Sequence, residues 1–259
     1  MANVNLEVLS PPDSAWREYI QQGSERGVQG RIIESWQRCG RVGLNPFERN
    51  IPVPVATSQF KKRLQENLEI VELYQFYIRR FSGLLEQLGA CSFACDTDAF
   101  ILSRAGYGKV LNFFDDFSLS ESSSCCEKVI GTNAPSLALI TREPVVVTAD
   151  EHYTKTYHPA FCAASPILDE NRNLLGCVDI TKFFDPNISE ELRKHLLNLA
   201  ISLSDMIRNE VFLPRLTKSS PAYHPVGGFL RYAPLLPPSL ERRETSPIEI
   251  PRSAPLHMS

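Results

Sequence analysis

The stretch Glu127-Lys-Val-Ile-Gly-Thr-Asn-Ala-Pro-Ser-Leu-Ala-Leu139 decides the fold, together with Pro144-Val-Val-Val-Thr-Ala-Asp-Glu-His-Tyr153, Cys162-Ala-Ala-Ser-Pro-Ile-Leu-Asp169 and Leu174-Leu-Gly-Cys-Val-Asp-Ile180. Its pattern is a helix interrupted at Gly131-Thr-Asn, then a β-branched strand, a polar loop, and two strands joined at Asp169-Glu-Asn-Arg-Asn173.

Outward from it, Ala90-Cys-Ser-Phe-Ala-Cys and Ala99-Phe-Ile-Leu-Ser read as strands around the turn Asp96-Thr-Asp. Lys109 to Ser124 reads as a loop with a short helix. Thr57 caps a long helix to Leu88, with Phe60, Leu64, Leu68, Val71, Ile78, Phe81, Leu85 and Leu88 on one stripe. That length suits either pairing with a second copy or packing on the domain's own sheet. Ser189 to Val211 is a closing helix, with Leu192, Leu196, Leu199, Leu203 and Ile207 on one face. Upstream, residues 13–22 form a helix capped by Asp13. Residues 25–42 form another, with Val28, Ile32, Ile33 and Trp36 at helical spacing. Nine of the 46 residues from Pro214 onward are proline, and they read as a disordered tail. The expected fold is α+β, an antiparallel sheet flanked by helices. Residues 1–53 form an N-terminal helical segment, 54–213 the main domain and 214–259 the tail.

Composition narrows the function. The net charge is −3, and the tail from Pro214 contributes +3, so the rest sums to −6. This argues against direct nucleic-acid contact. No apolar run approaches the length of a membrane span, and the N-terminus lacks a signal-peptide pattern. The seven cysteines, odd in number and irregularly spaced, fit reduced thiols in the cytoplasm. No phosphate-cradling Gly-x-x-x-x-Gly-Lys-Ser/Thr occurs.

Five segments in order resemble the GAF sensory domain of acetoin-catabolism-type regulators, which are sigma-54-dependent transcriptional activators. They are Glu127…Gly131-Thr-Asn-Ala…Leu139, Glu151-His-Tyr, Cys162-Ala-Ala-Ser-Pro-Ile, Leu175-Gly-Cys-Val-Asp-Ile, and the upstream Ser35-Trp-Gln-Arg-Cys…Gly43-Leu-Asn-Pro. The resemblance spans roughly residues 28 to 210. It implies a GAF fold, a small-molecule effector, no enzymatic activity, no cofactor, and a homodimer through helices 57–88 and 189–211. Pro135-Ser136 stands where the family commonly has Ile-Gly. The family's ATPase and DNA-binding modules are missing here, as in a fragment, a frameshifted product or a stand-alone sensor. The alternatives are a GAF-fold thiol-dependent methionine sulfoxide reductase and a ligand-free dimerisation module.

The expected ligand-binding residues are Phe93, Thr132, Asn133, His152, Tyr153, Cys162, Ser165 and Asp179. Thr132 and Asn133 either cap a helix or offer its free N–H groups to a ligand. His152 either meets a ligand under a closing loop or, with Glu151, ties that loop down. Asp179 either faces solvent or is buried, and if buried it needs a partner or a use. Asn112-Phe-Phe-Asp-Asp-Phe117 either roofs the pocket or packs in the core. Cys91, Phe93 and Cys95 share one strand face, too extended for two ligands of one zinc ion. Cys125-Cys126 is the candidate redox pair, and no metal site is expected. A hairpin centred near Asn171 puts Cys162 opposite Ile180 and Cys177 opposite Ser165, with the two thiols on different faces.

Overall fold

The computed structural model of the chain describes residues 15–218, with side chains to residue 211. The expected cap Asp13 and residues 219–259 of the expected tail lie outside the described residues.

The N-terminal region forms α1 (Ala15–Gln22) and α2 (Gly30–Arg41). Ile32, Ile33, Trp36 and Cys39 recur at helical spacing, and all four are buried. Helix α2 begins five residues later than its periodicity suggests. Gly27, at φ 76°, holds the preceding turn in a left-handed conformation that a helix cannot include.

The long helix expected over 57–88 is two helices, α3 (Thr57–Glu66) and α4 (Leu68–Leu88). Asn67 breaks it at φ −115°, ψ 19°. Its side-chain Nδ2 and its backbone N–H both donate to the Arg63 carbonyl, at 2.9 and 3.1 Å, closing α3 instead of extending it. Thr57 lies inside α3, and Ala56 occupies the cap position without a side-chain bond. The break divides the predicted stripe. Phe60 and Val71 form a small cluster with Leu102, while Ile70, Tyr74, Ile78 and Leu85 face the main sheet, and Leu68 is 45% exposed.

The sheet comprises β1 (Ala90–Cys95), β2 (Ile101–Gly106), β3 (Val145–Thr148), β4 (Ala160–Leu168) and β5 (Leu174–Phe183). Its order is β2-β1-β5-β4-β3, and every pair is antiparallel. Between β2 and β3 lie α5 (Gly108–Asp115), α6 (Glu127–Ile130) and α7 (Ala134–Thr141). Helix α8 (Glu190–Lys218) closes the fold and carries on past Pro214, where the tail was expected to begin. A proline loses its own N–H bond to the preceding turn and crowds the carbonyl there, a cost that kinks a helix already nucleated upstream without having to end it.

Alternation along the strands sorts side chains onto two faces. Ala90, Ala94, Phe161, Ala163, Ile167, Val178 and Ile180 pack under α4 and α8, where Leu196, Ala200, Leu203 and Ile207 complete the layer. Cys91, Phe93, Cys95, Val145, Val147, Cys162, Ala164 and Cys177 point the other way, toward α1, α2 and α5–α7. Both faces are covered, so β1 is buried along its whole length.

The expected register of the β4–β5 hairpin is off by one. Cys162 pairs with Thr181 and Cys177 with Pro166, because the ladder shifts between Ile167 and Leu168. A one-residue slip reverses the facing of a strand. Cys162 and Cys177 therefore share a face instead of pointing apart.

Candidate functional site

A cavity of about 30 Å³ lies on the thiol-bearing face of the sheet, beneath α6, α7 and the loop between β3 and β4. That is room for little more than a water molecule. Strand alternation delivers Phe93 from β1, Cys162 from β4, and Asp179 and Thr181 from β5. Asn133, Pro135, His152 and Tyr157 close it from above. Of the expected residues, Phe93, Asn133, His152, Cys162 and Asp179 converge here.

Asp179 is 1% exposed and faces inward. Its Oδ2 accepts a 2.5 Å bond from the Thr181 hydroxyl, while Oδ1 has no hydrogen-bond partner. Burial pushes the carboxyl up to about 7, against the Thr181 bond, which favours the charged form. Near neutral pH the group is close to half protonated, so it can donate or accept.

His152 ties the loop down and also lines the cavity. Its Nδ1 lies 2.9 Å from the Ala149 carbonyl, which can only accept, so Nδ1 carries the proton. This ties the loop down and leaves Nε2 as a lone-pair acceptor, 3.6 Å from Cys162 Sγ. Burial pulls the imidazole down to about 4, with the Ala149 bond opposing, and the ring is neutral at pH 7. Glu151 helps hold the same loop by accepting from the Thr148 N–H at 2.9 Å.

Asn133 is a capping residue that also touches the cavity. Its Oδ1 accepts from Ser136 N–H at 2.9 Å, and its Nδ2 donates to the Cys125 and Gly131 carbonyls at 2.7 and 2.8 Å. These bonds occupy both amide protons. Ser136 shares the joint: its hydroxyl accepts from Glu127 N–H and donates to the Cys125 carbonyl. The Pro135-Ser136 departure thus sits within the cavity wall, where Pro135 is a lining residue.

Three expected residues lie elsewhere. The Thr132 hydroxyl is 2.8 Å from Ser35 Oγ on α2. Tyr153 donates its hydroxyl to the Leu44 carbonyl at 3.3 Å. Ser165 sits on the opposite face of the sheet, where its carbonyl accepts from Ser204 of α8. For Ser165 the cause is alternation: even-numbered Cys162 and Ala164 point into the cavity layer, and Ser165 therefore does not. Thr181 was missed, although its place two residues beyond Asp179 puts it on the same face.

The aromatic segment 112–117 does both jobs proposed for it. Phe114 lines the cavity and packs edge-on against Phe93 at 5.5 Å, while Phe113 and Phe117 pack behind it.

The N-terminal helices close the site from outside. Trp16 Nε1 donates to the Tyr153 carbonyl at 2.8 Å and Trp36 Nε1 to the Glu151 carbonyl at 2.9 Å, pinning the loop that carries His152. Arg38 reaches Glu127 through Nε at 2.5 Å and Nη2 at 3.1 Å, and Ser35 adds a bond at 2.6 Å. These contacts span about a hundred residues of sequence, and no local pattern signals them.

Six thiols, those of Cys39, Cys91, Cys95, Cys125, Cys162 and Cys177, share one buried cluster. Burial raises Cys91 and Cys162 well above the ordinary thiol range and Cys39 to about 11. Such thiols stay protonated and are poor nucleophiles. Of the pair 125–126, Cys125 is buried and Cys126 partly exposed.

Comparison with known proteins sets this chain in a family. Residues 17–187 match the family described as MimR, N-terminal domain. The chain is 26% identical over 168 residues to the acetoin dehydrogenase operon transcriptional activator AcoR of Bacillus subtilis, covering 64% of this chain and 28% of AcoR. It is 28% identical over 154 residues to the PTS-dependent dihydroxyacetone kinase operon regulatory protein of Escherichia coli, covering 59% of this chain and 24% of that protein. The chain thus spans about a quarter of the length of these relatives. The E. coli DhaR(N)–DhaL complex contains a chain that superposes with a TM-score of 0.66 at 22% identity, over 73% of this chain and 65% of that one. The fold is therefore shared, and no helix among the described residues is long and apolar enough to cross a membrane. The chain belongs to the MimR N-terminal domain family, a GAF-like domain of the kind found at the N-terminus of sigma-54-dependent activators such as AcoR and DhaR.

Proposed function

We propose that the cavity beneath the β3–β4 loop is a sensory site for a small uncharged metabolite carrying neighbouring hydroxyl or carbonyl groups, such as a short diol or hydroxyketone. The observation that carries this reading is Asp179 Oδ1, buried without a partner. A buried carboxyl oxygen left unpaired is costly unless a ligand or water completes it. His152 Nε2 offers an acceptor in the same space. A protonated Asp179 would donate to a ligand carbonyl while Nε2 accepts from the adjacent hydroxyl. The wall of Phe93, Phe114 and Tyr157 would cover the carbon skeleton.

The cavity is too small for such a ligand as it stands, so binding must move its roof. The roof is the loop held by Trp16 and Trp36, and the floor is the sheet that packs on α4 and α8. A ligand with different affinity for the closed and opened arrangements would bias those helices. Leu68, Phe76 and Leu84 are exposed on the outer side of α4 and would supply the homodimer contact. Output then rests with ATPase and DNA-binding modules outside this chain.

The test is a panel of short diols and hydroxyketones against the chain and its Asp179→Asn variant, read by thermal unfolding and calorimetry. A saturable rise in Tm that the variant loses supports the reading; no shift with any member refutes it. A second reading is favoured by the nearly closed cavity and by the E. coli neighbour, whose structure is a complex with DhaL: a protein partner would supply the signal. Partner binding that survives Asp179→Asn would favour that reading.

A further inference from the structure

We propose that the other side of the sheet carries a second ligand site, an arginine-lined groove that binds a small multivalent anion bearing phosphate or carboxylate groups. The groove has a volume of about 490 Å³, within the usual range for small-molecule sites. Four arginines line it from four separate elements: Arg31 on α2, Arg142 at the end of α7, Arg172 in the β4–β5 turn and Arg208 on α8. Only two carboxylates, Glu143 and Asp205, stand among them. The chain as a whole is acidic, with net charge −3, so this basic concavity is not a sample of a basic surface.

The groove is built, not merely charged. Arg142 and Arg172 both adopt left-handed backbone conformations, at φ 56° and 62°. The Arg142 guanidinium donates to the Arg172 carbonyl at 3.2 Å, which joins the two turns. Arg208 is held by Asp205 at 3.1 Å, and Arg31 lies within the field of Glu151. At the base is Ser165, 3% exposed. Its carbonyl accepts from Ser204 Oγ at 3.0 Å, and the residue lines the groove. A serine hydroxyl that can donate, beside guanidinium groups that match planar or tetrahedral oxyanions, is suited to an anionic ligand. Glu143 and Asp205 would repel an extended polyanion laid across the groove, which favours a compact molecule. An anion here would draw α8, through Arg208, toward the hairpin and the end of α7.

Isothermal titration calorimetry of the full chain at fixed ionic strength, with pyrophosphate and with citrate as probes, tests the site. The expected result is saturable binding of at least one probe. Affinity should fall about tenfold or more in Arg142→Ala/Arg172→Ala and by a smaller factor in Ser165→Ala. It should be unchanged in Asp179→Asn, which separates this site from the cavity reading. No saturable heat from either probe at millimolar concentration overturns the proposal, as does equal affinity in the double variant. Binding of a hexaglutamate peptide while both small anions stay silent overturns it in favour of an acidic protein segment.

Discussion

Replacing Asp179 by Asn should make the fold more stable at pH 8 while leaving it nearly unchanged at pH 4. In the folded protein the carboxyl titrates at about 7, against an ordinary 3.8. A raised acid keeps its proton in the folded state over a range where the unfolded chain has already lost it. Its contribution is therefore most favourable below about pH 4. It declines as pH rises through the window from about 4 to 7, then levels off. A difference of about three pKa units corresponds to about 4 kcal/mol at pH 8. Asn keeps an oxygen to accept from Thr181 and removes the charge, so it mimics the protonated acid. Urea unfolding of both proteins at pH 4, 5, 6, 7 and 8 measures the difference directly. Glu151, His152 and His158 are also shifted by burial, but both proteins carry them, so their effects cancel in the comparison. The two should agree within about 1 kcal/mol at pH 4, where the folded carboxyl is protonated and the unfolded one is only about half ionised. At pH 8 the Asn variant should lead by up to about 4 kcal/mol. A difference that stays flat from pH 4 to 8 would refute the buried, half-protonated carboxyl on which the ligand reading rests.

Arg38→Ala leaves Glu127 buried without its cation and should cost about 3 kcal/mol in chemical denaturation, while adding Glu127→Gln recovers most of it. Gly131→Ala should destabilise by about 2 kcal/mol or more. Gly131 has φ 89°, and an added Cβ would lie 2.6 Å from Thr154 Oγ1; a smaller loss in thermal unfolding would mean the α6–α7 joint is not tight. His152 and His158 are pulled by burial down to about 4 and about 3, so acid must open the loop they hold neutral. From pH 7 to 4.5, opening should become easier by about 2.5 kcal/mol per histidine, seen as lost hydrogen-exchange protection at residues 149–159; unchanged protection would count against it.

Much of the architecture was legible because the signals were local. The β-branched run Val145–Thr148 and the alternating segments around Phe93 and Asp179 place the strands, and Asp169 to Asn173 places a hairpin turn. Gly131-Thr-Asn marks the α6–α7 break, because a glycine at φ 89° and an asparagine cap act within a few residues. The site was only partly legible. Thr181 was open to the same alternation that exposed Asp179. A hairpin register, by contrast, depends on a single bulge, and the shift between Ile167 and Leu168 put Cys177 on the cavity side. The break at Asn67 turned on a side-chain bond to Arg63 that helical periodicity does not record.

The amino-acid sequence by itself determined the element order, the apolar faces and the family, since each is written in spacings of two to four residues or in short motifs. Tertiary structure alone decided which groups meet. The indoles of Trp16 and Trp36 bind the loop carbonyls of Tyr153 and Glu151 across more than a hundred residues. Asp179 is left with an oxygen unpaired, and arginines from four elements converge on one groove. Those meetings follow from how layers stack over a sheet. The free energy of burying a charge or pinning a loop depends on neighbours that no stretch of the chain carries within itself.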